Sequence, residues 1–301
     1  IPKSPCPTKV SDFRPISLGN VLYKIVAKML VNRLRHKITK LVALYQNAFV
    51  PGKLISDNVL IAHEVLEFIR KRKKGKTYLA ALNLDISKAY DRVSRQFFVA
   101  MLHKMGFPDS WIRIISQCIS SVSYSIIING VPSPAIYPTR GLRQGCPLSP
   151  YLFIICQQAL SSFLTTLAET NSCPPLQVCR GGPPLSYLIF ADDTTVFFKC
   201  TIEAARKLKD TLDTYRDVSG HEINFTKSSL AVSPNTPTDI KMVISRVLHS
   251  QSVERTGRYL GLNMDFSQKK SPGCLLNSNH KFPRVLANGG HPIFQLWAGS
   301  C

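Results

Sequence analysis

Carboxylates are scarce in this 301-residue chain: 18 Asp and Glu stand against 38 Lys and Arg, a formal net charge of +20. Such a field repels polycations and draws in polyanions, so a nucleic acid or an anionic surface is the default partner, with charge for solubility as the plain alternative. The nine cysteines, at 6, 118, 146, 156, 173, 179, 200, 274 and 301, contain no Cys-x-x-Cys and have no paired His spacing beside them. That disfavours a zinc site, and their odd number and scatter read as reduced, intracellular thiols instead of a disulfide scaffold. No apolar run reaches the ~18 to 20 residues of a membrane span, which rules out an integral membrane protein, and no membrane partner is expected. An initiating Met and a leader are also missing: the chain opens on Ile1, as a fragment of something longer would. What is plentiful is apolar material, 45% of residues, enough for one to two domains with a sizeable core.

Apolar residues at 21, 22, 25, 26, 29, 30, 34, 38 and 41 have helical spacing and predict one amphipathic helix over 21–42, with Arg33, Arg35, Lys37 and Lys40 on its outer surface. A second helix is predicted from Ser56-Asp57, through Val65 and Ile69, into the basic run 70–76, where Gly75 offers a left-handed stop. Tyr78–Ile86 reads as a buried strand, 96–105 and 109–120 as helices, and Asn129-Gly130 after an apolar run as a hairpin turn. A long apolar helix is predicted over 151–167, a Pro- and Gly-rich loop over 171–184, and two strands over 185–198 broken at Ala191–Thr194. Thr201 caps a helix that Gly220 ends, and a short strand pair follows over 223–232. With 94–140 set aside as an insertion, the order strand, helix, strand, strand, helix, strand is the split βαβ, or ferredoxin-like, plan of an α+β fold. Residues 1–77 form a basic helical unit ahead of it. Over 271–301, 13 of 31 residues are Gly, Pro, Ser or Asn, which predicts an irregular segment.

Because acids are scarce, their placement is informative. Asp192 and Asp193 are the only acids between Glu169 and Glu203, and apolar strands flank them; Asp85 closes another apolar strand. Carboxylates gathered in a poorly solvated site raise one another's pKa, and a divalent cation with hard oxygen ligands is the usual remedy. Three on neighbouring strands could hold two ions ~3.5 to 4 Å apart, the geometry of in-line phosphoryl displacement. A hairpin turn whose Asp pair merely faces water is the alternative, since Asp is a common turn residue.

The segment Leu84-Asp85-Ile86-Ser87-Lys88-Ala89-Tyr90-Asp91-Arg92-Val93, with Phe190-Ala191-Asp192-Asp193 further on, resembles reverse transcriptases of the non-LTR (LINE-type) retrotransposon branch. Arg14–Leu18, Gln46–Gly52 and Gly141–Pro150 match further blocks of that family in order, as do Ser219–Ser228 and Tyr259–Leu262, so that the resemblance spans about 1–267. It implies right-hand polymerase fingers over 1–77 and a palm over 78–266, with a finger-type insertion at about 106–140 and an irregular tail over 267–301 where a thumb would follow. It implies RNA-directed DNA polymerase activity on an RNA template, a DNA primer and dNTPs, inside the cell and by function in the nucleus. Asp85, Asp192 and Asp193, with the Ile86 carbonyl, would hold two Mg²⁺, or Mn²⁺ in their place. Lys227 would protonate pyrophosphate, Tyr90 would exclude a 2′-hydroxyl, and Gln144 and Lys53 would contact the nucleotide. Arg14, Arg143, Lys71 and Lys73 would meet nucleic-acid phosphates.

Two departures bear on activity. Lys53 stands where the family usually has Arg, keeping the charge but losing the bidentate fork. The tail does not resemble a thumb, as a frameshift in a decayed element would produce. An inactive nucleic-acid-binding remnant is therefore the alternative. A group II intron maturase fits the Arg14–Leu18 and Gly141–Pro150 blocks less closely, and a two-metal nuclease would not explain Tyr90 or Gln144.

Overall fold

The computed structural model describes residues 1–263 except 4, 10, 11, 180, 253–257 and 261; the tail expected over 267–301 lies outside them. Helix α1 (Val21–Arg35) starts where Asn20 accepts the Tyr23 N–H at 2.7 Å. The helix predicted over 21–42 breaks at His36-Lys37 and resumes as the short α2 (Ile38–Leu41). Its buried face also differs from the expected one. Ala27, Leu30, Val31, Leu34 and Ile38 are buried, whereas Val21, Leu22, Ile25, Val26 and Met29 are exposed. Apolar residues lie on both sides of α1, so spacing alone could not select the face that packs.

Helix α3 (Ile55–Lys71) begins one residue before Ser56, with Leu54 as its cap. Asp57 therefore serves from inside the first turn, its carboxylate accepting the Leu54 N–H at 3.2 Å. The helix stops at Lys71, before Gly75; that glycine (φ +101°) sits in the following loop, where its carbonyl accepts from Asn235 at 2.8 Å.

The predicted strand at 78–86 is β1 (Leu79–Leu84), followed after Asp85 by β2 (Ile86–Ser87) and helix α4 (Ala89–Arg92). Helices α5 (Arg95–Lys104) and α6 (Asp109–Ser120) lead into a hairpin of β3 (Ile127–Ile128) and β4 (Val131–Pro132). As predicted, Asn129 and Gly130 both take positive φ, +49° and +84°. Helix α7 (Ser149–Glu169) precedes β5 (Tyr187–Phe190) and β6 (Asp193–Lys199). It is long and apolar enough to cross a membrane by length and composition, which the expected absence of any such run does not match. Most of it is buried, as in the core helix of a globular fold.

Helix α8 (Ile202–Ser219) has both predicted ends: Thr201 Oγ1 accepts the Ala204 N–H, and Gly220 closes it in the left-handed region. Then come β7 (Glu222–Ile223), β8 (Ser229–Val232), α9 (Thr238–Val247), β9 (Gln251–Ser252), β10 (Arg258–Tyr259) and β11 (Leu262–Asn263). The strand pair expected over 223–232 is not a hairpin: β7 pairs with β2, and β8 pairs with β1.

The main sheet runs β5-β6-β1-β8-β9, antiparallel throughout except for the parallel edge strand β9. Leaving β9 aside, this is the ferredoxin-like order, with α7 and α8 as its two helices. Strand alternation sends Ala80, Leu82, Val196 and Phe198 to one face, where α7, α8 and α9 pack. Leu79, Ala81, Leu188 and Phe197 go to the other, against α3. A third core joins α1, α2, α4, α5, α6 and the first half of α7. Residues 1–77 thus have no separate core of their own; they are cemented to the sheet and its insertion.

Candidate active site

Register brings the acids together. Leu84 is opposite Thr194 on β1–β6, so the next residue, Asp85, emerges beside Asp193. Phe190 pairs with Asp193, leaving Ala191-Asp192 as a two-residue turn. All three carboxylates lie at one end of the two central strands and are partly open to solvent. Burial, then the Asp192 charge, then that of Asp85, raise the Asp193 carboxyl from 3.8 to about 6. Asp192 also acts, after burial, to raise the Tyr90 hydroxyl.

The backbone around these acids is clasped from several directions. Asp85 donates its N–H to Ser228 Oγ at 3.1 Å, and its carbonyl accepts the Asn224 N–H at 2.8 Å. Exposed Lys227 sits on that 224–228 turn, next to Asp85. Bonded and non-bonded pairs alternate in an antiparallel ladder, so the Asn224–Asp85 bond makes Ile86–Ile223 the non-bonded pair and turns the Ile86 carbonyl away from β7. Ala191 takes φ +55°, a left-handed conformation costing an L-residue roughly 1–2 kcal/mol. Bonds hold it on both sides: its N–H reaches Gln46 Oε1 at 3.3 Å, and its carbonyl accepts from Gln157 Nε2 at 3.2 Å.

Tyr90 stacks on Phe153 with centroids 4.5 Å apart, and Arg92 pairs with Glu222 to tie α4 to β7. Gln144 is not loose in its turn: Nε2 donates to Asp91 Oδ1 at 2.9 Å, and its carbonyl accepts the Ser17 N–H at 2.9 Å. Two site residues, Lys53 and Arg143, behave differently from a surface contact. Lys53 folds back, donating to the carbonyls of Leu44 and Gln46 (2.8 Å to the latter), and burial lowers its ammonium to about 8. Arg143 lies over the Tyr23 ring, 4.2 Å from its centroid, with Nε buried and unbonded. Lys71 pairs with Glu67 at 3.5 Å. Arg14 and Lys73 are exposed. Gln46 and Gln157, which hold the acidic turn, were given no role by the sequence. A buried amide could have been suspected only for Gln157, a polar interruption inside the apolar stretch of α7.

Among the described residues no group of three or more His, Cys, Asp or Glu side chains is placed to hold a metal ion. Mg²⁺ does not need one, because it keeps waters and substrate oxygens and takes one or two carboxylates from the protein. Adjacent carboxylate oxygens open to solvent are the donors a hard divalent cation takes, and the charges of Asp192 and Asp85, after burial, raise Asp193, so the residues fit. A test follows from the sign of the shift. Folded Asp193 binds its proton more tightly than the unfolded chain does, so the metal-free protein loses stability as pH rises from about 4 to about 6 and then levels off. Millimolar Mg²⁺ should therefore raise Tm at about pH 7.5 and have little effect at about pH 4.5. An equal Mg²⁺ shift at both pH values would sink this reading.

A ferredoxin-like sheet with three carboxylates at one end of its central strands defines the palm of a nucleic-acid polymerase. The chain belongs to the reverse transcriptase (RNA-dependent DNA polymerase) family, whose profile matches residues 1–264. It is 30% identical over 222 residues to the transposon TX1 uncharacterized 149 kDa protein of Xenopus laevis, covering 73% of this chain and 16% of that one. It is likewise 30% identical over 227 residues to the retrovirus-related Pol polyprotein from the type-2 retrotransposable element R2DM of Drosophila melanogaster, covering 75% and 20%. The chain thus spans a fifth or less of these relatives. The solved apo telomerase of Candida tropicalis, truncated of its C-terminal domain, aligns with a TM-score of 0.48 at 15% identity, over 72% of this chain and 41% of that one. Enzymes of this family use divalent metal ions.

Proposed function

We propose that this chain is the fingers (1–77) and palm (78–266, with the insertion at about 106–140) of a retrotransposon RNA-directed DNA polymerase, extending a DNA primer on an RNA template with dNTPs. The observation that carries this is the coupled trio Asp85, Asp192 and Asp193 at one end of the central strands. Two divalent cations bound there, with the Ile86 carbonyl, would lower the pKa of the primer 3′-hydroxyl and stabilise the leaving pyrophosphate. Tyr90, backed by Phe153, forms the floor under the sugar and crowds out a 2′-hydroxyl. Gln144, fixed by Asp91, faces the nucleotide, and exposed Lys227 supplies a proton to pyrophosphate. Arg14, Lys71 and Lys73 meet phosphates of the template and primer, Arg143 packs over the Tyr23 ring, and the run 70–76 suits a nuclear address.

Incubated with a primed RNA template, dNTPs and Mg²⁺, the protein should extend the primer, and EDTA should stop it. Template binding should weaken steeply between about 50 and about 200 mM salt. Lys53 favours a second reading, a remnant that binds without turnover, because its ammonium is engaged by loop carbonyls and not offered to a triphosphate. Salt-sensitive binding with no extension, by a protein verified as folded, would select it.

A further inference from the structure

We infer that Gln157, Tyr215 and His221 form a buried relay that sets Tyr90 against the Asp192–Asp193 turn, making all three positioning residues for the choice between deoxyribo- and ribonucleoside triphosphates. The inference rests on the polymerase reading above. The three side chains come from α7, the end of α8 and the residue after Gly220, and all are essentially inaccessible to solvent. They are linked end to end. Gln157 Nε2 donates to the Ala191 carbonyl at 3.2 Å, and Gln157 Oε1 accepts the Tyr215 hydroxyl at 3.1 Å. That hydroxyl lies 2.6 Å from His221 Nδ1, and His221 Nε2 lies 3.1 Å from the Ala89 carbonyl.

Both ends of the chain matter. Ala191 immediately precedes Asp192, and Ala89 immediately precedes Tyr90. His221 reaches Tyr90 by a second route as well. Its ring packs edge-on against Phe153 at 5.8 Å, and Phe153 is the ring on which Tyr90 stacks. Burial lowers His221 from 6.5 to about 4, against the Ala89 bond, so the ring is neutral at physiological pH. With its proton on Nε2, facing Ala89, Nδ1 is an acceptor, and the one Tyr215 proton is shared between His221 and Gln157. A shared proton makes the two links interdependent. Apolar side chains would fill the same space without joining two backbone carbonyls that belong to different parts of the site.

Tyr215→Phe removes the hydroxyl and little volume. In the full chain it should lower the kcat/KM preference for dNTP over rNTP by about tenfold, since small displacements near reacting groups have large rate effects. It should also speed amide exchange in 89–92 and 190–193 together by about tenfold relative to α3. His221→Gln can still donate to Ala89 and accept from Tyr215 but loses the ring against Phe153, so it should keep discrimination within about fourfold of the wild type, and His221→Leu should lose about the full tenfold. Discrimination and exchange both within about twofold of wild type in Tyr215→Phe would overturn the relay. A wild-type chain that extends no primer would refute the proposed function instead. The exchange of Tyr215→Phe would then decide the relay alone, for it if both segments loosen and against it if neither does.

Discussion

Asp192→Asn is expected to reduce primer extension by at least about a thousandfold, because a lost metal ligand forfeits several kcal/mol of charge stabilisation in the transition state. Binding of the primed template should stay within about twofold, since phosphate contacts, and not this carboxylate, set affinity. The fold should not suffer. Asn has the shape of Asp, the turn is held by Gln46 and Gln157 through the backbone of Ala191, and one like charge beside Asp193 disappears. Tm without metal should therefore hold or rise, and the Mg²⁺-dependent gain in Tm should shrink. Single-turnover extension, filter binding and thermal unfolding on one preparation separate these effects. Extension at the wild-type rate would remove Asp192 from the chemistry.

Gly141→Ala is the second large effect, and it acts through geometry alone. Gly141 has φ +88°, and a Cβ there would lie 2.6 Å from the Asp91 carbonyl oxygen and 2.9 Å from its carbon. Neither is the end of a flexible side chain. The neighbouring bonds, Gly141 N–H to Val93 at 2.9 Å and Leu142 N–H to Tyr90 at 2.7 Å, zip this turn onto α4. The left-handed backbone costs roughly 1 to 2 kcal/mol for an L-residue, and overpacking costs a further ~1 to 3. The substitution should lower stability by about 2 to 5 kcal/mol and raise the dNTP KM, because Asp91 can no longer hold Gln144. Gly52→Ala is the control. Its φ is +79°, yet nothing lies within 4 Å of the added carbon, so only the backbone cost of roughly 1 to 2 kcal/mol applies. Equal losses in both variants, by denaturant titration, would refute the steric account.

What the residues announced in advance was local or chemically unusual. Thr201 and Gly220 bracket α8, and Asn129-Gly130 makes its hairpin, because those side chains act on their own backbone. The acids were legible because so few exist. The misreadings share another cause. The buried face of α1 depends on what packs against it, and the partners of β7 and β8 lie about 140 residues back in sequence. Lys53 turned inward although Lys is usually exposed, because loop carbonyls of Leu44 and Gln46 were there to receive it. Gln157, Tyr215 and His221 each look ordinary in sequence, and only the tertiary fold lines them up.

The placement of β1 has a consequence for how the chain is made. This central strand leaves the ribosome before either of its neighbours, β6, ending at Lys199, and β8, ending at Val232. At about 5 to 20 residues per second, roughly 7 to 30 s pass before β8 is available, and Leu82 and Leu84 have no complete sheet to enter until then. Chaperones that shield nascent apolar strands thus have a longer task here than in a fold whose first strand pairs with its second.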